Sequence, residues 1–189
     1  NIIHEEGAIS GFVLGESPNS SYDNWISHVT EGIAEDGYNN YGPDWLDVQT
    51  NGFGSYDRLE QNSPTLEYWD TIFSAFIEGD TTQVDSLLQD SLQSFFYELV
   101  IFQDTVYNRT FQIIREQLDT SYVDINDPEN SEDDVVGAFR NGWGMFIINP
   151  NAEREQVIIQ VPHPCDDFIA PYVALDLFLQ VDSYAFMIN

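Results

Sequence analysis

The last third of the chain constrains the fold more strongly than any other stretch. Residues 156–161 (QVIIQV) and 183–188 (SYAFMI) have the composition of strands, and apolar side chains recur at helical spacing in residues 168–181 between them. A helix that connects two strands of one sheet acts as a crossover and makes those strands parallel. This strand–helix–strand unit therefore predicts an α/β fold.

Two other regions predict further strands. Residues 144–148 and 156–161 flank the turn Asn149-Pro150-Asn151, so we expect them to form a hairpin. Residues 2–14 (IIHEEGAISGFVL) predict an extended segment, a glycine turn and a short strand. Together these segments predict a mixed sheet that contains the C-terminal hairpin and the closing strand.

The middle of the chain predicts helices that cover this sheet. Pro64 is favoured at a first helical position, and residues 79–80 (Gly-Asp) break the apolar pattern that follows it. From residue 81 to 118 the apolar residues keep a three-and-four spacing, which predicts one long helix or two that meet near Gln103. We also expect a helix over residues 21–37 and an aromatic-rich loop over residues 38–63.

The size of the chain bounds its domain organisation. With 189 residues, of which 42% are hydrophobic, it is long enough to form one domain with its own core. We therefore expect a single α/β domain over residues 1–189. The sequence begins without Met, and a predicted strand stops at its last residue. A fragment of a longer chain, or a chain trimmed after synthesis, is thus an interpretation that stays open.

The charge balance is strongly acidic. There are 33 Asp and Glu against five Arg and no Lys, which gives a formal net charge of −28. Such a surface repels nucleic acid phosphates and anionic lipid, so we expect neither a nucleic acid partner nor a membrane-surface partner. The sequence contains no apolar run of membrane-spanning length, so we also expect no membrane insertion. Adaptation to salty surroundings is the plainest interpretation, because salt screens the self-repulsion. The alternatives are binding of several Ca²⁺ ions or a cationic partner. We expect an extracellular or cell-surface location, with a high-salt cytoplasm as the alternative.

The run VPHPCDDF, residues 161–168, is the strongest candidate site. It places His163, Asp166 and Asp167 between a predicted strand and a predicted helix, where α/β proteins bind ligands. Imidazole and carboxylate groups are suitable Zn²⁺ ligands, and a second carboxylate can take a proton from an activated water. Cys165 is better explained as an apolar residue that fills the turn than as a ligand.

An ordinary structural role explains the same residues. Asp166 or Asp167 can cap the helix that begins at Phe168, since a negative charge suits a helix N-terminus. His163 can donate a hydrogen bond to a backbone carbonyl. The two interpretations are compatible, because one aspartate can cap the helix while the other binds a metal.

The run VIIQVPHPCDD, residues 157–167, resembles the strand and PHPDD turn of the zinc-dependent LmbE-like deacetylases. This resemblance implies that His163 and Asp167 hold zinc and that Asp166 is the general base. The run is also similar to the strand and VPH turn of N-formylglutamate amidohydrolase-like hydrolases, in which a hairpin precedes the motif. Cys165 interrupts the deacetylase pattern, and no His follows to complete a metal shell. Both families imply metal-dependent hydrolysis of amide bonds.

Other residues extend this hypothesis. His28 and Glu31 share a face of the predicted helix over residues 21–37 and can form a metal-binding pair, although a surface pair is the commoner role. His4 lies at the start of the chain, where a strand would bring it to the edge of the sheet. Arg140 can clamp a substrate carboxylate or pair with a local acidic residue. Residues 124–129 carry oxygen ligands at alternating positions but lack the glycine and terminal glutamate of an EF-hand.

Two functions are therefore expected from different classes. The first is an exported, zinc-dependent hydrolase that acts on an amide bond of a small-molecule, peptide or sugar-amide substrate. The alternative is a non-catalytic acidic secreted or cell-surface module, which binds calcium or assembles with a partner chain or a missing C-terminal segment. The candidate residues of the hydrolase are His163, Asp167, His28 and Glu31 as metal ligands, Asp166 and Asp167 as catalytic carboxylates, and Arg140 as the substrate contact.

Overall fold

The computed structural model of the chain describes residues 1–14, 64–90, 96–117, 144–162 and 169–188. Within these ranges it forms a mixed sheet and helices, so the predicted α/β fold class is confirmed. The strands are β1 (Ile3–Gly7), β2 (Tyr97–Asp104), β3 (Arg109–Glu116), β4 (Met145–Ile148), β5 (Arg154–Val161) and β6 (Ser183–Ile188). The helices are α1 (Ile9–Leu14), α2 (Pro64–Glu78), α3 (Thr81–Leu88) and α4 (Ala170–Gln180).

The described strands form one six-stranded sheet in the order β1-β2-β3-β4-β6-β5. The two outermost pairs, β1 with β2 and β5 with β6, are parallel, and the three pairs between them are antiparallel. The strands β3, β5 and β6 consequently end at one side of the sheet, which we call the carboxyl edge. At the opposite side, which we call the turn edge, β1, β2 and β4 end.

The strand–helix–strand unit predicted for the last third is confirmed. Strands β5 and β6 are parallel neighbours, with Val161 beside Ile188, and α4 connects them. A proline in the first turn of α4 suits the helix start, because its ring presets the helical backbone angle. The helix packs on β5 and β6 through its buried Leu175, Phe178 and Leu179.

The predicted hairpin between residues 144–148 and 156–161 is wrong, because β6 lies between β4 and β5. Burial explains the order. Four of the six residues of β6 are buried, whereas Val161 is the one buried residue of β5. A central strand is covered on both faces and must be apolar, while an edge strand tolerates polar residues such as those that open β5.

The predicted helix over residues 81–118 is also wrong beyond its first turns. Helix α3 ends at Leu88, and β2 and β3 form an antiparallel hairpin with a turn in which Asn108 has φ 53°. Each of these strands has buried residues on both faces of the sheet. Their apolar residues therefore lose the simple alternation of a half-buried strand and imitate helical spacing.

The N-terminal segment and the middle helices give a mixed outcome. Residues 3–7 form β1 as the extended segment predicted, but the expected short strand before residue 14 is the helix α1. The helix expected to start at Pro64 is confirmed, and its Trp69, Ile72 and Phe76 are buried at helical spacing. The helix expected over 21–37, the loop over 38–63 and the acidic segment 124–129 lie outside the described residues.

Each face of the sheet carries its own apolar core. Helices α1 and α4 cover one face, with Phe12, Phe178 and Phe186 among the residues buried there. Helices α2 and α3 cover the other, with Trp69, Phe76 and other residues packed against it. The sheet is therefore a central layer between two helical layers, which is the architecture expected of an α/β fold.

Candidate functional site

The carboxyl edge is where the fold brings strand ends together for a site. Strand β5 ends at Val161, which pairs with Ile188 at the end of β6, and Ile188 in turn pairs with Met145 at the start of β4. In α/β proteins, ligands bind outside the carboxyl ends of strands, because the loops that follow those ends can converge there. Pro162 follows Val161 directly, and the rest of the run VPHPCDDF, residues 163–168, lies outside the described residues.

A buried charge cluster lies on the α1 side of the sheet near this edge. The Arg115 guanidinium, 2% exposed, contacts both carboxylate oxygens of Glu5, with Nη2–Oε1 at 2.8 Å and Nη1–Oε2 at 3.3 Å. Its Nε donates a hydrogen bond to Glu98 Oε1 at 2.6 Å. The same guanidinium lies 5.2 Å from the centre of the Phe12 ring. We call Glu5, Glu98 and Arg115 the charge cluster.

The local sequence places Arg115 in this position. Because side chains alternate along a strand, Phe111, Ile113 and Arg115 share the face of β3 that α1 covers. Glu98 lies directly opposite Arg115 in the antiparallel register of β2 and β3. A buried guanidinium is stable only when it is paired and hydrogen-bonded, and the two carboxylates supply that pairing.

The charge cluster was not predicted, because residues 81–118 were interpreted as helical. If FQIIR is a strand, Arg115 lies on the same face as Phe111 and Ile113. An arginine on an otherwise apolar strand face, in a chain with five Arg, is the sequence signal that could have indicated this cluster. Its two carboxylates and one guanidinium give a formal charge of −1. The cluster links β1, β2 and β3 through ion pairs, and its guanidinium also contacts the Phe12 ring of α1.

None of the site residues predicted from the sequence belongs to the charge cluster. His163, Asp166 and Asp167 lie outside the described residues, two to six positions beyond the end of β5. The other candidates, His28, Glu31 and Arg140, lie outside the described residues as well.

His4 is the one histidine within the described ranges. It lies on β1, an edge strand, as expected if the N-terminal segment is extended, and its side chain is exposed. Within the described ranges no group of three or more His, Cys, Asp or Glu side chains is arranged to hold a metal ion. His4 therefore has no set of described partners with which to form a metal site.

The turn edge carries a second polar network. Asp104 is fully buried, and its carboxylate accepts hydrogen bonds from the backbone N–H groups of Ile9 at 2.9 Å and Tyr107 at 2.6 Å. The carboxylate of Asp182 accepts from Asn149 Nδ2 at 2.7 Å and lies 3.3 Å from Arg109 Nη1. These contacts join neighbouring elements and turns of the fold. The carboxylates of Asp104 and Asp182 at the turn edge therefore have structural roles.

Comparison of the chain with family models, with curated proteins and with solved structures gave no match. Among the helices that the structure describes, none combines the length and the apolar character needed to cross a membrane. Support for a function therefore comes from the chain's own residues and from the described fold.

Proposed function

We propose that the protein is an exported metal-dependent hydrolase that acts on an amide bond, of the amidase or deacetylase type. The observation that supports this proposal is the position of Val161, which ends a parallel strand beside Ile188 at the carboxyl edge. His163, Asp166 and Asp167 follow Val161 within six residues of chain. A ligand-binding turn is expected in this part of an α/β fold.

The donor groups in this stretch are of the kinds that zinc binds, an imidazole nitrogen and carboxylate oxygens. In the proposed site His163 and Asp167 hold the cation, and the upstream pair His28 and Glu31 is the candidate for the remaining positions. A bound zinc would polarise the amide carbonyl and lower the pKa of a water molecule. Asp166 would serve as the general base toward the attacking water and as the general acid toward the departing amine.

The remaining roles follow from charge. Arg140 is proposed to bind a carboxylate of the substrate, because a guanidinium can contact both carboxylate oxygens. The net charge of −28 favours accumulation of divalent cations near the surface, which would assist loading of the site.

A second candidate function is a non-catalytic acidic secreted or cell-surface module, either calcium-binding or part of a larger assembly. The observation that favours it is the apolar surface of α4, where Val173 is 60% and Leu177 is 47% exposed. Exposed apolar patches of this kind often mark contacts with other proteins.

Metal analysis of purified protein separates these functions. The protein is stripped with a chelator, reloaded with Zn²⁺ or Ca²⁺, and measured by elemental analysis alongside His163→Ala and Asp167→Asn. The proposal predicts one zinc per chain in the wild type and its loss in both variants, because direct ligation needs every donor about 2 Å from the ion. His4→Ala, a histidine change outside the proposed site, is the matched control and should keep the zinc.

Activity provides the second readout. Asp166→Asn should retain zinc but lose hydrolysis of acetylated or formylated amine substrates, since an amide cannot act as the base. Equal zinc content in the wild type and His163→Ala would contradict the hydrolase. Calcium binding without zinc binding would favour the module.

A further inference from the structure

The turn between β2 and β3 carries a sequence motif that the proposed hydrolase does not use. Residues 108–110 read Asn-Arg-Thr, the acceptor motif for N-linked glycosylation, in which a serine or threonine stands two positions after an asparagine. The same motif occurs at residues 19–21 (Asn-Ser-Ser), which lie outside the described residues. A motif this short also arises by chance, so the surroundings of Asn108 decide whether it can carry a glycan.

Asn108 lies where the fold can accommodate a bulky group. It is the exposed last residue of the turn over residues 105–108, and it precedes Arg109, with which the pairing of β3 begins. Within the described residues its side chain takes part in no hydrogen bond or ion pair. A glycan is bulky and hydrated and needs such a surface position. A glycan on Asn108 would therefore break no contact of the described fold.

The neighbours of Asn108 leave its amide accessible. The Arg109 guanidinium is held by other groups, because its Nη1 donates to the Leu179 carbonyl at 2.9 Å and lies 3.3 Å from Asp182 Oδ1. The residues before Asn108 in the turn, Val106 and Tyr107, are 65% and 44% exposed. A sugar on Asn108 would adjoin this exposed apolar surface.

We propose that Asn108 receives an N-linked glycan while the chain is exported, before β2 and β3 pair. The donor is an oligosaccharide bound through phosphate to a polyprenyl lipid, and an oligosaccharyltransferase of the exporting membrane catalyses the transfer. Asn108 Nδ2 forms a bond to C1 of the first sugar, and the bond from C1 to the phosphate oxygen breaks. Its electron pair leaves with the phosphate, which takes up the proton that Nδ2 loses. The proposal rests on export, which both candidate functions share.

The contacts of Thr110 set the order of events. Its hydroxyl donates to Gln103 Oε1 at 2.7 Å, and the two residues pair in the register of β2 and β3. The acceptor motif needs a hydroxyl at this position, and in the folded chain that hydroxyl is engaged. Transfer therefore precedes pairing of the hairpin. The glycan then lies at the turn edge, whereas β5, on whose end the hydrolase proposal rests, ends at the carboxyl edge.

Secretion from a eukaryotic cell tests this proposal. The full chain carries a cleavable secretion leader and Asn19→Gln, so that the motif at Asn108 is the remaining acceptor. Enzymatic release of an N-glycan leaves an aspartate in place of the asparagine, which peptide mass spectrometry locates. Glycan is expected at residue 108. It should be lost in Thr110→Val, which suits a strand but has no hydroxyl, and retained in the matched control Thr110→Ser.

The order of events is tested with the same chain. Translation into microsomes should give the glycosylated form, whereas the full chain made without glycan and allowed to fold should accept none from solubilised transferase and lipid-linked oligosaccharide. Absence of glycan at residue 108 after secretion, or equal transfer to the folded chain, would overturn the proposal. Zinc content should be the same in Thr110→Val and Thr110→Ser, so this test and the test of the hydrolase fail independently.

Discussion

The two edge strands of the sheet, β1 and β5, differ in how they are held and what they expose. Both are parallel to their neighbours. Strand β1 is fastened by the bidentate contact between Glu5 and Arg115, and its outward His4 and Glu6 are exposed polar groups. Strand β5 takes part in none of the ion pairs within the described residues, and it exposes Ile158.

The two outermost strands of the sheet, β1 and β5, thus present surfaces of opposite character. Charged side chains on an edge strand discourage pairing with another sheet, because they would have to lose their hydration. The polar surface of β1 therefore protects its edge, and the buried guanidinium keeps the short strand in place. Strand β5 has no such fastening among the described ion pairs, and it exposes the apolar side chains of Val157 and Ile158.

The largest expected effect tests the fastening of β1. Arg115→Met leaves Glu5 and Glu98 in a largely buried place without their cation, so we expect the free energy of unfolding to fall by about 3 kcal/mol. Chemical denaturation monitored by circular dichroism measures the change. Arg154→Met, an arginine change on exposed β5, is the control and should stay within about 0.5 kcal/mol of the wild type.

Salt and a compensating variant sharpen this test. The loss in Arg115→Met should persist in high salt, because buried pairs are screened much less than surface pairs. Adding Glu5→Gln and Glu98→Gln to Arg115→Met should recover part of the loss, since both uncompensated charges are then removed. Equal losses in Arg115→Met and Arg154→Met would contradict the distinction between the two edges.

A smaller effect is expected where β5 begins. Asp182 has φ 54°, and its carboxylate accepts hydrogen bonds from Asn149 Nδ2 and from the Glu153 N–H just before β5. Asp182→Ala should lower the free energy of unfolding by about 2 kcal/mol, because it removes these acceptors and disfavours the positive φ.

Asp182→Asn separates the two causes in that prediction. Asparagine tolerates a positive φ and keeps one oxygen acceptor, but it loses the ion pair with Arg109. We expect thermal unfolding to place this variant between the wild type and Asp182→Ala. If Asp182→Ala unfolds like the wild type, the start of β5 is held by other contacts than this carboxylate.

The smallest effect concerns the strand next to β5 at high pH. Burial raises the pKa of Tyr184 on β6, whose hydroxyl donates to the Ile77 carbonyl at 3.1 Å. A tyrosine with a raised folded-state pKa stabilises the fold fully below its unfolded pKa of about 10, and that contribution is lost as the pH rises further. Tyr184→Phe should therefore show a smaller loss of stability between about pH 10 and pH 12 than the wild type.

Tyr68 on α2 provides a comparison outside the sheet. Burial first, and then the hydrogen bond and charge of Asp90, raise its pKa in the same direction. Unfolding curves of Tyr68→Phe and Tyr184→Phe at matched alkaline pH should each differ from the wild type in the same sense. Identical pH dependence in all three proteins would show that neither phenol contributes.

Parts of the fold were predictable from local pattern, and other parts were not. Helix α2 was predicted because Pro64 marks its start and its buried residues recur on one face. The hairpin of β2 and β3 was missed because both faces of the sheet bury apolar residues there. Of the candidate site, the residues His163, Asp166 and Asp167 were selected from sequence, whereas the charge cluster became evident only from the paired strands.

The amino-acid order alone specified the strong negative charge, the helix α2 and the β5–α4–β6 unit, because each depends on composition or on neighbouring residues. The three-dimensional fold was needed to establish that β6 lies between β4 and β5 and that Arg115 binds Glu5, 110 positions away. Such arrangements are set by competition among many residues for burial and for a charge partner. No periodicity within a single segment records the outcome of that competition.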